Sequence, residues 1–236
     1  MKFYEAKLVK IVKENSDSYS YIMNIPQGYA WKAGQHAMFR LKGYTVAPED
    51  KDTRIFTIAA APEDGYLMFT TRISDKHSSF KDILLNCIKA GDTIEIAPAI
   101  GSFDMDLNKF PETLVIAGGI GITPIRSLLR HYCRNNNENH RITVLYSDDR
   151  GEFAYGDMWD ELKADMPNLD LHLISQREEF AESTNRFAAR ALNAAEYLIA
   201  GSPGMNAAFT ETLTDLGIKR EDRKSTRLNS SHTNLS

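Results

Sequence analysis

Two hydrophobic periods divide the chain. From Lys2 to about Phe103 apolar residues recur at every second position in short runs, the pattern of strands with one face on a core. "YSYIMNI" sets Tyr19, Tyr21, Met23 and Ile25 on one face, "YLMFTTRI" and "DTIEIAP" continue the series, and turn formers separate them in "PQG", "KAGQ", "APEDG" and "KAGD". Strands this short and this evenly spaced predict a small antiparallel barrel or sandwich. One helix interrupts it: "SSFKDILLNCI" places Phe80, Ile83, Leu84 and Cys87 at helical spacing.

After Asp104 strands and helices alternate. "TLVIAG" is a continuous apolar strand, and "PIRSLLRHY" then puts Ile125, Leu128, Leu129 and Tyr132 on one helical face. "RITVLYS", "LDLHLIS" and "YLIAG" are further strands; "GDMWDELKADM", "FAARALNAA" and "PGMNAAFTETLTDLG" are helices, the last stopped by Gly217. Strands joined through helices need crossovers, and so a parallel sheet with helices on both faces. The predicted fold is β plus α/β: an antiparallel domain over 1–104 and a doubly wound parallel-sheet domain over 105–221, meeting near "DMDLNKFPE".

The last residues break with both patterns. "DRKSTRLNSSHTNLS" turns abruptly to Ser, Asn, Thr and basic residues, and Asp222–His232 looks like the translation of a short-read sequencing adapter. Residues 222–236 are therefore set aside as non-native, as a tag would be. Of the 236 residues 42% are apolar and 10% aromatic, enough for packed cores. A formal net charge of −4 with no dominant basic face argues against nucleic acid as a partner. The two cysteines, Cys87 and Cys133, stand far apart outside any Cys/His cluster. This argues against a metal site, a bound iron–sulfur cluster and a disulfide framework, and predicts two buried thiols. No segment approaches the ~20 apolar residues of a membrane span, which predicts a protein without an integral membrane segment and a cytoplasmic location.

The chemistry gathers at strand ends. At "LVIAGGIGITPIRSLL" a strand runs into Gly118, Gly119 and Gly121, where no Cβ keeps backbone N–H groups from a phosphate. Thr123 is predicted as the N-cap of the helix that follows and Pro124 as its first residue. The end of "LIAGSPGM" leaves room at Gly201, Ser202 and Pro203 for a flat ring, with Met205 in the helix behind. "LYSDDRGEFAY" offers Ser147 and Asp148 where the adenosine half of a dinucleotide would lie, and Arg150 beside them leaves NADH and NADPH both open.

In the front half, Arg54 and Arg72 read bare are strand arginines, Phe56 is core, Thr57 a strand polar residue, and Ser78 or Ser79 a helix cap. Taken together and in this order, "RIFTIA", "HSSFKDIL", "GDTIEIAPAIGSF", "GGIGITP" and "GSPGM" resemble the ferredoxin-NADP reductase family of FAD-dependent NAD(P)H oxidoreductases. The resemblance runs from "KAGQHAMF" to the last helix. It implies that the front domain is an FAD-binding barrel in which Arg54, Ser78, Ser79 and the backbone of Phe80 hold the pyrophosphate. Phe56 would lie against the isoalloxazine and Thr57 would face its reactive nitrogen, these two being the residues at the chemistry, with Arg72 among the cofactor contacts.

The same resemblance makes the glycine turn and "GSPGM" the pyridine-nucleotide site, with nicotinamide held against flavin. It implies hydride transfer from NAD(P)H to flavin and electrons passed to a separate acceptor, a ferredoxin or similar small redox protein. Two departures stand out: Ala200 where many family members carry cysteine, and the adapter-like tail where the family often ends in an aromatic or Glu-x-Phe segment. Left open are a free-flavin or quinone reductase, an electron-input component of a larger complex, and a non-catalytic nucleotide-binding regulator on the same fold.

Overall fold

The computed structural model describes residues 2–135 and 139–226. It divides into two compact units: Met1–Asp104 with Arg126–Asn135, and Met105–Ile125 with Asn136–Ser236.

The first unit holds β1 (Tyr4–Lys13), β2 (Ser18–Met23), β3 (His36–Leu41), β4 (Thr53–Thr57), β5 (Leu67–Arg72) and β6 (Thr93–Ile96), with α1 (Ser79–Asn86) between β5 and β6. Every pair is antiparallel, in the order β4-β3-β6-β1-β2-β5. Just past β4, the Ala59 N–H donates to the Met68 carbonyl of β5 (2.7 Å), which draws the two edges together. Period two holds well in β3, where Ala37, Phe39 and Leu41 are buried. In β2 it holds in part: Tyr21 and Met23 are buried and Tyr19 is half-buried, but Ile25 lies past the strand end. Ser18 and Ser20 on the opposite face are buried too, and the Ser20 and Thr70 hydroxyls pair there at 2.7 Å. Both faces of this strand are covered, and a polar pair satisfies itself on the second.

Helix α1 buries Phe80, Ile83 and Leu84 as its spacing predicts. The expectation of two buried thiols fails, since Cys87 is exposed and Cys133 half-buried. The helix ends at Asn86, so Cys87 falls at its cap and Ile88 takes the inward place.

The second unit holds β7 (Glu112–Gly118), β8 (Arg141–Ser147), β9 (Leu169–Ile174), β10 (Glu196–Ala200) and β11 (Arg223–Ser225), all parallel, in the order β11-β10-β7-β8-β9. Helix α2 (Ile122–Arg134) follows β7, α3 (Gly156–Asp165) follows β8, α4 (Arg177–Ala191) follows β9, and α5 (Pro203–Asp215) follows β10. Neighbouring β8 residues show the two covered faces: Leu145 joins Phe180, Ala188 and Leu213 of α4 and α5, while Tyr146 meets Trp159 of α3. Helix α4 starts at Arg177 rather than Phe187. Its first turns, "REEFAEST", are too polar to show a period, yet Glu178 and Glu179 suit the positive end of a helix. As predicted, Gly217 (φ 79°) ends the last helix, with the Ile218 N–H returning to the Leu213 carbonyl.

The described part of the segment set aside as non-native adds an edge strand: Arg223–Ser225 pairs with Tyr197–Ile199, and Lys224 meets buried Glu196 at 2.7 Å. A sheet edge offers unpaired backbone groups to any extended segment, so this pairing asks little of residue type. Residues 227–236 of that segment lie outside the described residues. Among the described residues no helix is long and apolar enough to cross a membrane.

Candidate functional site

In the first unit the predicted residues converge on one another. Ser78 caps α1, its hydroxyl accepting the Lys81 N–H. Arg54 reaches from β4 across this helix start, donating to the Ser78 hydroxyl (3.2 Å) and to the Lys51 and Thr53 carbonyls (2.6 and 2.9 Å), with its guanidinium over the Phe80 ring. At the centre lies a residue the sequence does not single out, Asp50. Its carboxylate pairs with Arg54 and accepts from the Ser79 hydroxyl (2.9 Å), the Phe80 N–H (2.9 Å) and the Lys51 N–H (2.8 Å). No motif marks an aspartate in an acidic loop; its closeness to Arg54 along the chain is the sole hint.

A guanidinium, a hydroxyl, one N–H of the helix start and one of the loop aimed at one carboxylate form a set for an oxyanion, and here the carboxylate stands where a phosphate oxygen would. Burial raises the Asp50 carboxyl; the Phe80 N–H, Arg54 and Ser79 more than reverse this and hold it well below the usual carboxylate range. The donor set fits the pyrophosphate of FAD.

Phe56 is half-buried and stacks on Phe69 (centroids 4.6 Å, planes 4° apart), with Phe39 and Phe80 beside it. Its ring orientation is therefore set by an aromatic wall. Thr57, also half-buried, stands opposite His36 across the β3–β4 ladder. Arg72 does not join the cradle: its side chain pairs with Asp17 at 2.6 Å, and its carbonyl accepts from Lys81. Lys81 is a second residue that no sequence pattern marks, a lysine 8% exposed on the buried face of α1. Burial, helped by Arg54 and Arg72, pushes its amine down to about 8.

In the second unit the predicted residues lie at adjacent strand ends. Ala117 is in register with Ala200, and Gly118 with Ser147. Chain order reverses between β7 and β10, so this is the switch point where α/β sheets take ligands beyond their carboxyl ends. Gly119 adopts φ 51° with nothing within 4 Å of where a Cβ would stand, so its backbone is open to an approaching group. Gly121 has the opposite reason: a Cβ there would lie 2.1 Å from the Ala200 carbonyl oxygen. A Cβ on Gly118 or Gly201 would lie 2.4 Å from the Met205 sulfur, so that thioether fills the notch between the two strand ends.

The predicted cap at Thr123 is corrected. A short turn over Gly119–Gly121 leads into α2 at Ile122, so Thr123 is already helical and donates its hydroxyl to the Ile120 carbonyl (3.1 Å). Pro124 remains in the first turn, where its missing N–H costs nothing. The Ser-then-Pro entrance occurs instead at α5: Ser202 caps it, accepting the Met205 N–H, and Pro203 is its first residue. Ser147 and Asp148 are both buried, and Asp148 accepts the N–H groups of Arg150 (3.0 Å) and Glu152 (3.4 Å), shaping its own loop.

Residues 115–211 match the family model of the oxidoreductase NAD-binding domain. The chain is 27% identical over 211 residues to one component of the Na(+)-translocating NADH-quinone reductase of Pseudomonas aeruginosa (strain UCBPP-PA14), a match covering 80% of this chain and 52% of that protein. The chain thus spans about half the length of this relative. Among solved structures it shares its fold with the ferredoxin reductase in carbazole 1,9a-dioxygenase (TM-score 0.76, 17% identity, 95% of this chain and 68% of that one). A variant of the ferredoxin-NADP+ reductase from Plasmodium falciparum gives a TM-score of 0.79 at 16% identity, over 95% of this chain and 96% of that one.

Proposed function

We propose that this chain, which belongs to the ferredoxin-NADP reductase-like family of FAD- and NAD(P)H-dependent oxidoreductases, takes hydride from NAD(P)H and sends electrons to a separate carrier protein such as a ferredoxin. The observation that carries this reading is the oxyanion cradle of Arg54, Ser79 and the Phe80 N–H, present in the same chain as a glycine-lined switch point. Arg54, Ser78 and Ser79 hold the FAD pyrophosphate, Phe56 sets the plane of the ring it lies against, and Thr57 supplies a hydroxyl at the reactive edge. Gly118, Gly119, Gly121, Thr123 and Pro124 take the pyrophosphate of the pyridine nucleotide. Ser147 and Asp148 serve its adenosine half, and Gly201, Ser202, Pro203 and Met205 its nicotinamide. When bound, the flavin supplies the step from two-electron hydride to one-electron carrier, so the protein's contribution is orientation and neutralised phosphate charge.

Kinship with a component of an NADH-quinone reductase favours a second reading in the same class, an electron-input portion of a larger complex. We place the protein in the cytoplasm under either reading. An anaerobic titration of the FAD-loaded protein with NADH and with NADPH, following the visible flavin band, tests the proposal. Bleaching by either nucleotide is expected, and a chain that takes up no FAD overturns it. Reoxidation by a ferredoxin or by a soluble quinone then separates the two acceptors.

A further inference from the structure

We infer that Asp50 is a built-in competitor for the cofactor: its carboxylate occupies the pyrophosphate cradle and must leave before FAD is fully seated, so this residue sets cofactor affinity. The inference rests on the flavin reading above. Arg54, the Ser79 hydroxyl and the Phe80 N–H all serve the Asp50 carboxylate. The Phe80 N–H and the Ser79 hydroxyl each have one hydrogen to donate, and neither can serve Asp50 and a phosphate oxygen together. A carboxylate left in place would also stand against the phosphate charge across a few ångströms of half-buried protein.

The segment that carries Asp50 can give way. Residues 42–52, between β3 and β4, contain no strand or helix. They are tied down near the cradle by the Ala47 N–H on the Ser79 hydroxyl (2.9 Å) and by Arg54 on the Lys51 carbonyl (2.6 Å), and further off by the Tyr44 hydroxyl on Asp92 (2.7 Å) and the Lys42 N–H on the Thr93 carbonyl (3.2 Å). Releasing Asp50 breaks no ladder of the sheet. The carboxylate has a use without cofactor, since it keeps Arg54, 10% exposed, from standing partly buried without a counter-charge. With cofactor the phosphate takes over that role. Binding is then weakened by the fraction of molecules in which the cradle is filled from within.

The test compares full-length apoprotein with Asp50→Asn and Asp50→Ala, titrating FAD by quenching of flavin fluorescence and recording melting temperatures without FAD. Asp50→Asn keeps shape and one acceptor while removing the charge, so it covers the event that Asp50→Ala does not fold. Expected are FAD affinities about tenfold tighter in the variants, together with lower melting temperatures of the FAD-free proteins. Wild type that binds FAD beside variants that bind it equally or more weakly overturns the competitor role and leaves the flavin reading standing. Variants that bind FAD where wild type does not support the role in its strongest form. Failure of all three to bind FAD overturns the flavin reading and the inference with it.

Discussion

Under the proposed function the two cradles would meet the same chemistry, a doubly charged pyrophosphate, with different materials. The one in the first unit is made of side chains: a guanidinium, hydroxyls and a helix start, which need an internal carboxylate to balance them. The one in the second unit is made of backbone: glycines, a tight turn and strand ends in register, with a neutral thioether in the notch. A side-chain cradle stores charge that must be paired or tolerated when empty; a backbone cradle stores only close contact. The first should fail through lost charge, the second through added volume.

The largest expected effect is on the charged side. Arg54→Ala removes a charge-assisted contact of about 1.5–3 kcal/mol and should weaken FAD binding about a hundredfold, read by fluorescence titration. Arg54→Lys should recover part of this, since a point charge lacks the planar fork. NAD(P)H binding by the second unit should be unchanged, and a loss there would break the comparison.

Next comes Gly121→Ala. Both the new Cβ and the Ala200 carbonyl oxygen belong to the main-chain framework at 2.1 Å, so one strand end must shift. A cost of about 2–3 kcal/mol is expected, with NAD(P)H binding lost and FAD binding kept. Gly118→Ala, whose Cβ meets the flexible end of Met205, should cost about 1 kcal/mol or less. Denaturant melts of the two variants check the order. If Gly118→Ala were the worse, the tight packing would lie at Met205 rather than along the backbone.

The contrast also explains what could be read from the chain. The glycine turn, the alternation of strand and helix and the Arg54 motif are local, because period and residue type carry them. Their surroundings are not. Cys87 keeps helical spacing but falls beyond a helix that ends at Asn86. Thr123 and Pro124 are good entrance residues, yet proline is tolerated throughout a first turn and so does not fix where it begins. Arg72 has the right residue type and turns to Asp17. Asp50 and Lys81 are defined by what folding brings beside them, and no pattern of apolar positions announces a buried charge.

Lys81 gives the sharpest test of stored charge. Its amine is buried, donates to the Arg72 carbonyl at 2.7 Å and sits in the field of Arg54 and Arg72. With the folded-state value lowered to about 8 from an unfolded value of 10.5, both states are protonated at pH 7 and the folded state bears the cost of the charge. Between those values the unfolded chain binds more protons, so this residue makes stability rise with pH and the cost is gone above the upper one. Lys81→Met should stabilise the FAD-free protein by about 2 kcal/mol at pH 7, and the gap to wild type should close between pH 8 and 10.5. The tyrosines that titrate above this range are common to both proteins and cancel in the difference. FAD affinity should change by less than about fivefold, because the Lys81 side chain reaches the cradle only through its field and the substitution leaves the backbone N–H on Ser78 in place. A variant less stable than wild type at every pH would show that the Arg72 contact outweighs the buried charge, and that the side-chain cradle carries no such stability cost.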